Sequence, residues 1–343
     1  MRSGKQLLLH SKQFSCENRS RSWFEVLITL AFAAIIFAVA FFEIVPLPAR
    51  ILSSIICGLL YVRLFVIYHD YEHRAILQNS DVAHWIFIFL GIYLLAPENI
   101  WKRSHEHHHN HNSKLTLSGI GSYPLVSKKY FLNLKKKQQR LYLINRHPIT
   151  VLMGYFTLFI YWLNLKSFLE SSKKHIDSLI ALILHFIAGL AVFYFFGATI
   201  FFLGWILPFF LAFAIGSYLF YSQHNFPKAV FHEHHEWAYD QAALKSTSRM
   251  TMSPLMHWFT GNIGYHHVHH LNSRIPFYRL PEAMESMPEL DNVPTTSWNP
   301  LEVYRCLRLK LWDAELGKMI TLKQLRHNLS EVHANETAAV ISS

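Results

Sequence analysis

The apolar run over residues 24–45 limits what this chain can fold into more than any other feature. At about 1.5 Å of helix rise per residue it can cross the ~30 Å hydrocarbon core of a bilayer, and it is too long for the apolar part of a secretory signal. Pro46 and Pro48 end it, and a second apolar stretch, residues 51–68, follows after a very short turn. The pair predicts a helical hairpin that returns the chain to its starting side. Residues 85–96 are too short an apolar run to span and predict a re-entrant or interfacial piece. Three more apolar stretches, residues 149–168, 179–196 and 199–221, follow a polar region. Composition agrees: 52% hydrophobic and 16% charged residues is a membrane composition, and it excludes disorder, coiled coil and collagen.

Charge supplies the topology. Residues 101–147 carry Lys128, Lys129, Lys135, Lys136, Lys137, Arg140 and Arg146, which by the positive-inside rule puts this loop in the cytoplasm. Lys166, Lys173 and Lys174 lie around the end of the 149–168 stretch, whereas the link at Gly197 has no charge. Residues 149–168 are therefore expected along the interface, and the last two stretches as a second crossing hairpin. The expected fold is an all-α integral membrane protein, with four transmembrane helices in two hairpins, interfacial helices and a cytoplasmic histidine-rich cap. Residues 1–22 are read as a cytoplasmic N-terminal segment, 23–300 as the membrane domain and 301–343 as a cytoplasmic tail, frayed at 338–343. A net charge of +10 is read as a surface facing anionic lipid, with no nucleic-acid role. Cys16, Cys57 and Cys306 are too scattered for a redox pair or a disulfide framework. Arg63, inside the second stretch, must turn into the bundle or reach toward an interface, and His185 is expected to be packed and hydrogen-bonded.

Histidine is the compositional outlier, at 23 residues. His69 and His73 stand four residues apart at the polar end of the second stretch, on one helix face, a spacing that suits two ligands of one metal. A solvated helix end is the competing reading. Two later groups, His105, His107, His108, His109, His111 and His266, His267, His269, His270, each contain H-x-x-H-H. Eight imidazoles exceed what one metal holds, so two metals are implied, and imidazole suits Fe, Zn, Cu or Ni. The charge-based topology puts all three groups on one side of the membrane, with His224 just past the last apolar stretch. Asp70, Glu72 and Glu106 are candidates for orienting metal-bound imidazoles, against simple solvation of helix ends. His232, His234 and His235 match no metal spacing and are expected on a solvated surface.

These residues resemble the membrane fatty acid desaturases, in particular the bacterial and plant-type acyl-lipid enzymes. The first histidine box of that family is similar to His69-Asp70 with His73, and its other two boxes to the two H-x-x-H-H patterns. Residues 101–105, Arg146-His147-Pro148, Trp237 with residues 242–245, and above all residues 258–271 look like the Δ12-type branch, and the resemblance covers about residues 60–290. It implies two Fe ions on the cytoplasmic face, held by His69, His73, His105, His108, His109, His224, His266, His269 and His270, with Asp70, Glu106 and Asn262 beside them. It also implies a reaction in which O2 and electrons from a carrier remove two hydrogens from an acyl chain, turning a monoene lipid into a cis diene. In the acyl-CoA branch an Asn one turn before the lone helix histidine holds a metal-bound water; here that position is Phe220, so no such ligand is carried over. No iron–sulfur, dinucleotide or haem motif is visible, so a separate ferredoxin or cytochrome b5 is expected to dock on the basic face, at Lys128, Lys129, Lys135, Lys136 and Lys137. Topology and lipid contact are the alternative role of those lysines. A bacterial inner membrane suits this arrangement better than the endoplasmic reticulum.

Other functions compete. The same boxes serve acyl-chain or carotenoid hydroxylases and ketolases. His105-Glu106 with His109 also matches the H-E-x-x-H zinc protease motif, but that leaves the first and third groups idle. A metal transporter needs ligands near the membrane midplane, where only His185 lies. An unactivated methylene has no acidity for acid–base catalysis to use, which favours a metal-based oxidation, and an apolar tunnel between the spans must then measure the chain.

Overall fold

The structure, a computed structural model, describes residues 2–115 and 121–330, so the expected fraying at 338–343 lies outside the described residues. After a short helix α1 (Gly4–Ser11), Asn18 starts α2 (Arg19–Phe41) by accepting the Arg21 N–H at 3.0 Å. Pro48 then sits in the first turn of α3 (Leu47–Glu72), where its missing N–H costs no hydrogen bond. Arg63 joins the two helices: it donates to Thr29 Oγ1 at 3.0 Å, meets Glu25 at 2.5 Å and lies 4.2 Å from the Trp258 ring centroid. It is 2% exposed, turned into the bundle.

The 85–96 stretch becomes α4 (Asp81–Tyr93), which meets α5 (Glu98–His111) at 86°. After α6 (Lys128–Asn133) and α7 (Lys136–Asn145), the 149–168 stretch is not one helix but three pieces: α8 (Pro148–Leu152), a π-helical segment Tyr155–Lys166 and α9 (Ser167–Glu170). α10 (Ile176–Phe201) breaks at Gly197, whose φ of 78° and ψ of 176° suit only glycine, and a π-helical turn Phe202–Ile206 leads into α11 (Leu207–Ser222). Ring contacts pair residues on either side of that break, His185 with Trp205 at 4.9 Å and Phe193 with Phe201 at 5.6 Å, so the two limbs run antiparallel. Among the described residues, Arg19–Phe41, Leu47–Glu72 and Ile176–Ser222 are long and apolar enough to cross a membrane, and the bent α4–α5 pair is a further candidate. Gly154 lets α8 press onto α11, since a Cβ there would stand 1.8 Å from Ser217 Oγ. His185 is buried and shares a 2.5 Å hydrogen bond with the Tyr155 hydroxyl, as a packed histidine requires.

Two expectations need correction. The fold is mostly helical but not all-α, because the polar C-terminal part holds two small sheets. α12 (Tyr239–Lys245) leads to β1 (Arg249–Thr251), and after α13 (Pro254–Phe259), α14 (His266–Leu271) and α15 (Leu280–Glu285) the chain returns as β2 (Thr295–Ser297), parallel to β1 with Met250 opposite Thr296. Strands of three residues are too short to show a period of two in sequence. Nor are residues 301–330, the described part of the segment read as a tail, without structure. Up to residue 330 the segment folds as α16 (Pro300–Arg308), an antiparallel pair β3 (Leu309–Asp313) and β4 (Lys318–Thr321), and a helix over 322–330. Buried hydrogen bonds hold it: the Tyr142 hydroxyl donates to Lys310 O at 2.5 Å, the Tyr221 hydroxyl to Leu309 O at 3.1 Å and Asn225 Nδ2 to Cys306 O at 2.7 Å. Lys128 pairs with Asp313 at 3.0 Å and Glu315 at 2.9 Å, so it belongs to this clasp and is not free for a docking partner. Lys129, Lys135, Lys136 and Lys137 remain exposed.

Candidate metal centre

All four stretches of chain that carry the box histidines converge at one end of the bundle. His69 and His73 close α3, His105, His108 and His109 share the buried face of α5, His224 follows α11, and α14 brings His266, His269 and His270. They sort into two groups. His69, His73, His105, His109 and His269 each bring one ring nitrogen within 4.8 Å of all the others, and His108, His224, His266 and His270 do the same. The H-x-x-H-H spacing explains the sorting. At about 100° per residue, the first and last histidines of the pattern share a face and the middle one is turned aside. On α5 the i, i+4 pair enters the first group and His108 the second; on α14 the i, i+4 pair His266 and His270 enters the second and His269 the first. The groups touch, with His109 and His270 stacked at 4.2 Å.

Within the groups, Nε2 atoms lie close: His69 to His105 at 2.8 Å, His105 to His109 and His109 to His269 at 3.1 Å, His108 to His224 at 3.0 Å and His224 to His266 at 2.9 Å. Burial pulls His224 down to about 4, and burial with neighbouring imidazoles holds His266, His269 and His270 well below the ordinary histidine range. The rings are therefore neutral, the form that binds metal. Buried Nδ1 atoms of His105, His108, His109, His224, His266 and His269 have no hydrogen-bond partner, nor do the Nε2 atoms of His73 and His270. Neither group contains a carboxylate, and an all-imidazole donor set fits Fe, Zn, Cu or Ni and not Mg or Ca.

The surrounding residues divide. Asp70 is 1% exposed; its Oδ1 lies 3.3 Å from His69 Nδ1 and its Oδ2 accepts the Phe277 N–H at 2.6 Å. Glu106, by contrast, is exposed on α5, about 100° round the helix from His105, and belongs to neither group. Asn262 sits in the left-handed region at φ 56°; its side-chain amide donates to Phe277 O at 3.1 Å and its backbone N–H to His257 O at 2.8 Å, so it shapes the turn before α14. The extra histidines lie outside both groups. His107 and His111 stack on each other at 4.0 Å, and buried His267 points its Nε2 to Met284 Sδ at 3.0 Å. His232 is half-buried and His235 exposed, while the side chain of His234 lies outside the described residues.

Some site residues carried little signal. Trp101 stacks on His105 at 4.8 Å, Phe220 packs 5.1 Å from His108, and Gln223 donates to Ile263 O at 2.8 Å, tying the His224 segment to the loop before α14. Only Trp101, in the run up to the second box, was marked by a motif. Below the histidines lies a cavity of about 500 Å³. It is lined by His69, His105 and His266 at one end, by Phe65, Phe159, Phe213 and Leu219 along its walls, and by Tyr61.

Membrane-length helices, two all-imidazole groups that could hold metal and an apolar cavity below them are the arrangement of a membrane enzyme with room for an apolar chain. Residues 46–298 match the fatty acid desaturase family, and the chain belongs to that family of enzymes. It is similar to a fatty acid desaturase of Bacillus subtilis (strain 168), 28% identical over 277 residues that make up 80% of this chain and 78% of the relative. Family and helices together make it an integral membrane protein, and the family points to iron as the metal.

Proposed function

We propose that this protein uses O2 and two Fe ions to introduce a cis double bond into a fatty acyl chain of a membrane lipid, converting a monoene to a diene. The observation that carries the reading is the apolar cavity that runs from His69, His105 and His266 down among Phe65, Phe159 and Phe213. His69, His73, His105, His109 and His269 hold one ion and His108, His224, His266 and His270 the other. Asp70 fixes the orientation of His69, and Trp101 and Phe220 keep the rings from turning. When bound, the irons supply the O2 activation that an unactivated methylene requires. The apolar wall excludes water and holds the chain against the histidine end, so that one pair of carbons is presented.

The chain is read as crossing a bacterial inner membrane four times, the break at Gly197 dividing the long C-terminal stretch into a second hairpin. Both hairpin tips then lie on one side and the metal centre on the cytoplasmic side, where a ferredoxin or cytochrome b5 docks near Lys129, Lys135, Lys136 and Lys137. Against a transporter, the one mid-span histidine, His185, is bonded to Tyr155 and packed between Trp205 and Phe209.

The test joins metal analysis to product analysis. Purified protein should hold about two irons, and gas chromatography of an expressing host fed labelled oleate should show an 18-carbon diene in phospholipid. A new monoene alone would remove the monoene-to-diene step, a hydroxy acid or ketone would move the protein to the hydroxylase reading, and a single zinc would end the di-iron reading.

A further inference from the structure

One pair of charges stands on the cavity wall. Apart from histidines, Lys166 and Glu170 are the charged side chains among the residues that line it. They lie one helical turn apart where the π-helical segment passes into α9, with Nζ 3.2 Å from Oε1. Lys166 Nζ also sits 3.9 Å from the Trp162 ring centroid. Their side chains are 35% and 64% exposed, whereas Phe159, Phe213 and Leu219 of the inner wall are buried, so the charges mark an outer end of the cavity. Next to them Leu165 and Leu169 face outward, 37% and 70% exposed, as residues in contact with lipid do. A mouth with one cation and one anion, set between an apolar cavity and an apolar outer face, has the charge pattern of a zwitterionic lipid headgroup in reverse. A coenzyme A thioester brings several phosphate charges, and Lys166 alone, already neutralised by Glu170, does not answer them.

Resting on the desaturase reading above, we propose that Lys166 and Glu170 form a headgroup site that selects a zwitterionic glycerophospholipid, with phosphatidylethanolamine as its bacterial representative, over an anionic one as the acyl carrier. Lys166 takes the phosphate and Glu170 the ammonium. Each side chain exchanges one opposite charge for another as the ion pair opens, so the exchange leaves no charge unpaired, and Trp162 keeps the lysine at the mouth by a cation–π contact.

The experiment expresses the full chain in a bacterial host whose membrane contains both phosphatidylethanolamine and phosphatidylglycerol, and reads the diene fraction of each intact lipid by mass spectrometry. The expected preference for phosphatidylethanolamine is about two- to fivefold, the factor a partly exposed charge pair supplies. Glu170→Gln should bring the ratio close to one, and Glu170→Lys should turn it toward phosphatidylglycerol. Native mass spectrometry of the purified chain, which needs no turnover, should show the same order among retained lipids. A wild-type ratio of about one, or a ratio unmoved by both substitutions, overturns the headgroup site and leaves the desaturase reading standing. Absence of any diene from the wild type removes the monoene-to-diene step instead, and the headgroup site is then judged by the retained lipids alone: equal retention of the two overturns it.

Discussion

Asp70 and Glu106 show how differently two carboxylates can stand beside histidines. Both adjoin a metal-type spacing in sequence, but Asp70 is buried between His69 and the Phe277 N–H, whereas Glu106 faces outward. A buried acceptor holds an imidazole in one tautomer and orientation; an exposed one is solvated and does neither. Asp70→Asn keeps an oxygen for the Phe277 N–H but removes the charge next to His69, and should weaken metal binding about 10- to 100-fold. Glu106→Gln should leave it unchanged. Competition with a chelator reads both; equal metal retention in the two variants would mean that Asp70 only tethers the Phe277 loop.

At the scale of elements, the clasp of α16 and β3 over α7 and the end of α11 is what joins the C-terminal segment to the site, because Asn225 lies next to His224 and bonds to Cys306 O. Lys310 is the costly part of that clasp. It is buried, donating to Leu307 O at 2.6 Å and to Arg146 O, and burial together with the Arg146 guanidinium lowers it to about 7. In the unfolded chain the same ammonium keeps its proton to about 10.4. Between those two values the unfolded state binds more protons, so stability should rise with pH across the window and be lowest below about 7. Thermal unfolding in detergent at several values from about pH 6 to 9 should show a rising midpoint, with the slope reduced in Lys310→Met. A midpoint that falls over that range would show that the clasp holds Lys310 charged.

Across the whole molecule, the polarity of the bundle is set by where its turns and its histidines lie. Phe41 at the end of α2 meets Phe196 at 5.2 Å, which puts the turn after α2 and the break at Gly197 at one end, opposite the metal groups. In a Cys16→Ser background, since Cys16 is the exposed native thiol, Lys136→Cys and Leu316→Cys should react with an impermeant maleimide only in permeabilised cells. Ile44→Cys, at a position 93% exposed in the turn, should react in intact cells. The reverse pattern would invert the protein in the membrane.

Sequence by itself determined the apolar stretches and the grouping of the histidines into three boxes, because each depends on local length or spacing, whereas it left Arg63 either turned into the bundle or reaching toward an interface. The H-x-x-H-H pattern carries its own geometry, since one turn of helix decides which rings share a face. It does not decide which ring from another helix completes a set. That His269 joins His69 and His105, that His224 joins His108 and His266, that Glu106 is exposed and that residues 300–330 are a folded clasp all depend on contacts between residues far apart in the chain. Such contacts arise from how the helices pack, and only the tertiary structure decides them.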